Sequence, residues 1–307
     1  MEASKRTEGM RKTLVELTDP KAMRLIKRSW LLGVATAVLF SLLSVAGCAG
    51  VDYRLENAHR LARDAGLTPQ ILKGGTFALQ TYHRLGRSTG PLRVYIEGDG
   101  FAWINRGRIS PNPTPHNPVA LKLAASDHSP AVFYVGRPCQ YVGVGSNHQC
   151  TKRYWTSHRF APEVIETTSA VIEQAKKLAG ATAVELVGFS GGGAVAVLVA
   201  SLRSDVVGIR TVAGNLDHVT LNQQKKVAPL TGSLNAVDVA AKVSVIPQVH
   251  YVGVDDDIVG DIVAEVYRNS AGRTDCITVR RVSGVSHTEG WDDMWRDLVA
   301  LPLPNCN

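Results

Sequence analysis

Ser190 lies in Gly188-Phe189-Ser190-Gly191-Gly192-Gly193. A serine hydroxyl is a weak nucleophile until a neighbouring base takes its proton. That base is usually a histidine, and a carboxylate fixes its tautomer and stabilises the imidazolium. The pattern Gly188-x-Ser190-x-Gly192 joins a short apolar run, residues 183–187, to an Ala- and Val-rich stretch with no proline before Pro229. This reads as strand, sharp turn, helix. On such a turn the serine backbone is strained and its hydroxyl stands in the open. The glycines on either side keep Cβ atoms out of the strand–helix approach. The amide of Gly191, at the helix start, can donate to a developing oxyanion. The bare pattern arises by chance in roughly one chain in ten of this length. A glycine-rich turn without chemistry has the same letters, so the flanking strand and helix carry the weight.

Two later strand ends supply a base and an acid. Val249 to Val254 runs into Asp255-Asp256-Asp257, and Ile277 to Val282 leads to Ser283-Gly284-Val285-Ser286-His287-Thr288. His287 falls in a loop between the last strand and the last helix, and none of the other eight histidines has a comparable placement. Asp217, beyond the strand ending near Val212, is a reserve acid. The plain alternative for the acids is a turn capping the next helix. For His287 it is an ordinary loop histidine.

The order Ser, Asp, His is that of the α/β-hydrolases. The chain resembles that superfamily, and more narrowly the bacterial α/β-hydrolase lipoproteins. The resemblance spans about residues 70–303. It is carried by Tyr95-Ile96-Glu97-Gly98-Asp99-Gly100, Gly136-Arg137-Pro138-Cys139-Gln140-Tyr141, Gly188-Phe189-Ser190-Gly191-Gly192, Gly253-Val254-Asp255-Asp256 and Ser286-His287. It implies an α/β-hydrolase fold and a catalytic triad of Ser190, Asp256 and His287, and no particular substrate. Within Gly253 to Val259 the family spacing selects Asp256, leaving Asp255 and Asp257 as turn and cap residues.

The resemblance also implies an oxyanion hole made of Gly191 and a second amide in the loop after Leu92 to Ile96, at Gly100 or Phe101. The usual His-Gly is replaced there by Glu97-Gly98-Asp99-Gly100. Carboxylates at this place oppose an oxyanion unless they turn away or are paired. Arg106, Arg108 and Arg137 are candidate partners. Phe101, Trp103 and Trp155 are candidates for an acyl pocket and equally for core packing. Trp291 is expected to dock the last helix. No cofactor and no metal is called for.

These residues need a frame. Strands are expected at Phe77 to Tyr82, Leu92 to Ile96, Ala131 to Val135, 183–187, Val206 to Val212, Val249 to Val254 and Ile277 to Val282. Helices are expected at 119–125, Val164 to Leu178, after Ser190, near Asp261 to Asn269, and at Trp291 to Leu301. Alternating strands and helices imply an α/β fold with a mainly parallel sheet, helices on both faces, and the site at the carboxyl ends of the strands. The roughly 36 residues between Val212 and Val249 form at most a small cap. That favours an esterase or amidase acting on a small acyl substrate over a triglyceride lipase.

Residues 1–47 stand apart from this frame. Met23 to Arg28 is basic, Trp30 to Val45 is an apolar run of about 16 residues, and Val45-Ala46-Gly47-Cys48 follows. This reads as a secretory signal, with Met23 as an alternative start. The run is short for a bilayer span, and Cys48 after Ala-Gly resembles a lipobox cysteine that carries a lipid. Residues 48–69 then make a tether and short helix, and 70–307 the hydrolase domain. By resemblance to enterobacterial lipoprotein sorting, such a protein is expected in the cell envelope, on the periplasmic face of the outer membrane.

The whole chain carries 34 basic and 27 acidic residues, net +7. Residues 1–47 hold eight of the former and four of the latter, so the remainder has 26 against 23, net +3. No basic cluster with interleaved aromatics argues for nucleic acid. Four cysteines besides Cys48 suit an oxidising compartment. Of the three pairings they permit, Cys139 with Cys150 and Cys276 with Cys306 close local loops and are favoured. A zinc site from Cys139, His148 and Cys150 lacks paired structural spacing. Two functions besides hydrolysis fit the same residues: a non-catalytic lipoprotein of this fold that binds an envelope partner, and an acyltransferase using the same triad.

Overall fold

The computed structural model describes residues 53–86, 90–142, 147, 149–272 and 275–306. The signal segment, Met23, Cys48 with its lipobox, and His148 lie outside the described residues.

Residues 53–64 form helix α1. There follow β1 (Thr68–Gly74), β2 (Phe77–Leu85), β3 (Leu92–Ile96), and a hairpin of β4 (Trp103–Asn105) and β5 (Arg108–Ile109). Next come α2 (Val119–Ser126), β6 (Ala131–Val135), α3 (Pro162–Ala179), β7 (Val184–Phe189) and α4 (Gly191–Ala200). The chain ends with β8 (Val206–Val212), α5 (His218–Lys225), β9 (Gln248–Gly253), α6 (Ile262–Ser270), β10 (Ile277–Val282) and α7 (Trp291–Ala300). Eight strands make one sheet in the order β1-β2-β6-β3-β7-β8-β9-β10. The pairs β1–β2 and β2–β6 are antiparallel, and every pair from β6–β3 onward is parallel.

Each strand feeds both faces because successive side chains alternate. On β3, Leu92, Val94 and Ile96 enter one core, packed under α3 and α4. Tyr95 enters the other, with α1, α2 and α7. Trp291 and Trp295 anchor α7 in that second core, fully buried, as expected for Trp291. The Trp295 indole donates to the Tyr95 hydroxyl at 2.9 Å, and that hydroxyl donates to Asp127 at 2.7 Å. Helix α4 is apolar on every side and buried at every residue, the state of a helix enclosed by its own domain. It follows directly on the turn that carries Ser190.

The sequence reading misses β1, whose register with β2 runs from Thr68↔His83 to Gly74↔Phe77. Its pattern, Thr-Pro-Gln-Ile-Leu-Lys-Gly, leaves Ile71 exposed and has no clean alternation. Both cysteine pairs are disulfide-bonded, with Cα atoms 5.5 Å apart at Cys139–Cys150 and 4.7 Å at Cys276–Cys306. A zinc site built on Cys139 and Cys150 thiolates is therefore excluded. Among the described residues no helix is long and apolar enough to cross a membrane.

Candidate active site

Ser190 occupies the step from β7 to α4 with φ 50° and ψ −120°. This conformation costs a non-glycine residue roughly 1–3 kcal/mol, so the surroundings must impose it. They do so through hydrogen bonds. Ser190 N donates to Val212 O at 2.9 Å, and Ser190 O accepts from Gly193 N at 2.9 Å and Asn215 N at 3.0 Å. The flanking glycines are steric necessities. A Cβ on Gly188 would sit 2.2 Å from Gly192 O, and one on Gly192 would sit 2.2 Å from Ile96 O.

His287 Nε2 lies 3.0 Å from Ser190 Oγ, and His287 Nδ1 lies 2.9 Å from Asp256 Oδ2. The second oxygen of Asp256 accepts from Ile258 N at 2.8 Å and Val259 N at 3.0 Å. Burial raises the Asp256 carboxyl, but His287 and these two amides outweigh it and hold the group below the ordinary carboxylate range. The histidine loop is held by Trp291 Nε1, which donates to Ser286 O at 2.8 Å. The Phe189 ring packs 5.4 Å from the imidazole. Asp255 and Asp257 are exposed. The reserve acid, Asp217, is spent elsewhere: it caps α5 through Val219 N and Thr220 N and accepts from Asn235.

The second side of the site is the loop after β3. Glu97 is 1% exposed and accepts from Gly98 N, Ala120 N and the Tyr134 hydroxyl. Burial pushes its carboxyl up to about 7 despite these bonds. Asp99 is ion-paired with Arg159 at 2.6 Å and Arg137 at 3.2 Å. Burial works against its charge, but the two guanidiniums prevail and lower its pKa. Of the three arginines named from sequence, only Arg137 serves. Arg106 and Arg108 are exposed on the β4–β5 hairpin, and Arg159 takes the second place.

Asp99 and the turn at Ser190–Gly191 are sterically coupled. A Cβ on Gly191 would fall 2.2 Å from Asp99 Oδ1. Residue 191 is thus a glycine because a carboxylate occupies the space a side chain would need. The loop is pinned from behind by Gln140, which donates to Gly98 O at 3.0 Å and accepts from Arg137 N at 3.0 Å. Cys139–Cys150 clamps the segment that carries Gln140.

Phe101 N donates to Pro113 O at 2.9 Å. Of the two amides named for the oxyanion hole, this commits Phe101 and leaves Gly100, whose φ of +67° glycine alone takes without strain. Gly191 stands at the first position of α4, where a helix amide has no intrahelical acceptor.

Ser190, His287, Asp99, Gly100 and Arg159 share a cavity of about 650 Å³. Phe101, Trp103 and Phe189 supply its aromatic wall. Trp155 does not: it is buried in the core with its indole on Ser110 O at 3.0 Å. No described residue between β8 and β9 lines the cavity, so α5 and the short 3-10 turn at Ala236–Val239 make only a small cap beside it. Arg159, His116 and Asn117, all cavity-lining, escape sequence reasoning because none lies in a periodic or turn pattern that marks a site.

A mainly parallel sheet with helices on both faces, a serine on a strained strand–helix turn, and a histidine and acid from later strand ends together define the α/β-hydrolase fold. Solved structures agree. An esterase from Pyrococcus furiosus is 13% identical with a TM-score of 0.54, covering 77% of this chain and 92% of that one. Est1E from Butyrivibrio proteoclasticus, holding ferulic acid, is 13% identical with a TM-score of 0.54, over 75% and 96%. An esterase domain from Rhodothermus marinus is 15% identical with a TM-score of 0.51, over 76% and 96%. At these identities the likeness is one of fold. No family model matches the chain, and no curated protein matches it.

Proposed function

We propose that the protein is a serine hydrolase acting on small acyl esters. The observation that carries this is the unbroken run Ser190 Oγ to His287 Nε2 at 3.0 Å and His287 Nδ1 to Asp256 Oδ2 at 2.9 Å. Ser190 Oγ attacks the acyl carbon as its proton passes to His287 Nε2. The carbonyl oxygen becomes an oxyanion, held by the amides of Gly191 and Gly100. His287 then gives the proton to the leaving oxygen, and the carbon–oxygen bond breaks to leave an acyl-serine. Water, deprotonated by the same imidazole, releases the acid and restores Ser190. Asp256 stays ionised throughout and stabilises the imidazolium. The esterases of like fold support the reaction class, and the open cavity with its small cap favours a soluble ester over a lipid droplet.

The same proposal places the chain in the cell envelope, anchored through a lipid on Cys48. The support is the basic segment, the apolar run and the small residues that precede that cysteine.

One experiment addresses both parts: fluorophosphonate labelling of cell fractions expressing the protein or its Ser190→Ala variant. Labelling of the first and not the second, in the membrane fraction, is the expected result. An unlabelled but folded protein moves the reading to a non-catalytic binding lipoprotein. Label confined to the soluble fraction removes the anchor.

A further inference from the structure

Apart from Asp256, whose charge stands behind His287, the site sets two guanidiniums against one ion-paired carboxylate. Arg137 and Arg159 share a single carboxylate, Asp99. Glu97 also lines the cavity but is buried, its carboxylate bonded to the start of α2 and to Tyr134, and its raised pKa reduces the charge it can offer. Asp257 also lines the cavity but is exposed to solvent, where its field is screened.

The two guanidiniums differ in what they can still do. Arg137 has a side chain 5% exposed. It donates to Asp99 and to the Arg159 carbonyl and lies over the Phe160 ring at 5.4 Å. Arg159 lines the cavity itself, with 16% of its side chain exposed. Its Nε donates to Thr156 O at 2.9 Å and its Nη1 to Asp99 Oδ2 at 2.6 Å. Its Nη2 carries no hydrogen bond to another described residue. These two bonds fix the plane of the guanidinium, so its remaining donors are presented without further loss of side-chain freedom. A rigid, part-buried guanidinium with spare donors suits a planar or tetrahedral anion. The aromatic wall of Phe101, Trp103 and Phe189 suits the apolar part of the same molecule.

We propose that Arg159 is a specificity-determining residue, receiving a carboxylate or phosphate carried by the substrate whose acyl group Ser190 attacks. This rests on the reading of Ser190 as nucleophile. The competing reading is that Arg159 only secures Asp99, and it predicts a different pattern of losses.

Two esters with one leaving group separate them: p-nitrophenyl butyrate, neutral, and mono-p-nitrophenyl glutarate, anionic. Wild-type protein should favour the glutarate ester by at least tenfold in kcat/KM, mostly through KM. Arg159→Gln should cut that preference roughly 10- to 100-fold, the worth of one charged hydrogen bond, and Arg159→Lys should restore part of it. Equal rates on both esters in the wild type, or equal losses on both in Arg159→Gln, overturn the proposal.

A binding measurement needs no turnover. Monomethyl glutarate or propyl phosphate should raise the melting temperature of Ser190→Ala but not of Ser190→Ala/Arg159→Gln, and the stronger of the two identifies the anion. No rise with either overturns the anion site even where fluorophosphonate labels Ser190. A rise without labelling keeps the site and removes the nucleophile.

Discussion

Asp99 lines the cavity beside Ser190 while Asp256 is buried behind His287, and each is held ionised against burial by different means. Asp256 depends on near neighbours in sequence: two amides within three residues, plus one imidazole. Asp99 depends on two arginines 38 and 60 residues away. The first arrangement is a local turn that any α/β strand end can provide. The second is assembled only by the finished fold. The Asp256 side of the site is therefore generic in its construction, and the Asp99 side is particular to the assembled tertiary fold.

The largest effect should come from breaking the generic side. Asparagine at 256 can still accept from the amides of Ile258 and Val259, so the fold should survive. Its NH₂ then faces His287 Nδ1 and selects the wrong tautomer, leaving Nε2 protonated and unable to take the Ser190 proton. Asp256→Asn should lower esterase kcat by about 10³- to 10⁴-fold, with a melting temperature near that of wild type. A loss below about tenfold would show that Asp256 is only a turn residue.

A smaller loss should follow from uncoupling the particular side. Gly191→Ala puts a methyl group on the Asp99 carboxylate, so either the ion pairs or the Gly191 amide must move. The expected cost in kcat is about 10²- to 10³-fold, that of losing one oxyanion donor. Combined with Asp99→Ala, the losses should be less than additive, because the second change removes the atom that clashes. Strict additivity would mean that residue 191 is glycine for another reason.

The same division decides what could be read without coordinates. Ser190, Asp256 and His287 were each marked by local context: a strand ahead, a turn-forming residue beside, a helix after. The central strands and helices α2, α3, α4 and α7 carried clear apolar patterns. Strand β1 did not, because an edge strand with Ile71 exposed and Pro69 near its start lacks the alternation of a half-buried one. Arg159 was invisible for a different reason. It follows a short 3-10 turn in an irregular segment, and its partner is 60 residues upstream. Arg106 and Arg108 are nearer to Asp99 in sequence and are the more obvious partners there. Their hairpin carries them into solvent. Proximity along the chain is a weak guide to ion pairing wherever a loop, rather than a strand or helix, fixes the direction.

Glu97 offers the finest test, since it belongs to the particular side yet makes its hydrogen bonds to Gly98, Ala120 and Tyr134 and none to Ser190 or His287. Its carboxyl stands at about 7 in the folded chain against an ordinary 4.5. Between those values the folded state keeps a proton that the unfolded state gives up. The folded state thus binds more protons, and stability falls as pH rises from 4.5 through 7. Glutamine at 97 can accept from Gly98 N and Ala120 N through its oxygen and donate to the Tyr134 hydroxyl, and it never ionises. Glu97→Gln should therefore match wild type near pH 5 and exceed it near pH 8, by on the order of 2 kcal/mol in unfolding free energy. The quantity to compare is the difference between the two pH profiles. His250, buried and held down to about 3, costs both proteins stability below 6.5 to the same extent and cancels. Profiles that stay parallel from pH 5 to 8 would mean that Glu97 is ionised in the folded state throughout.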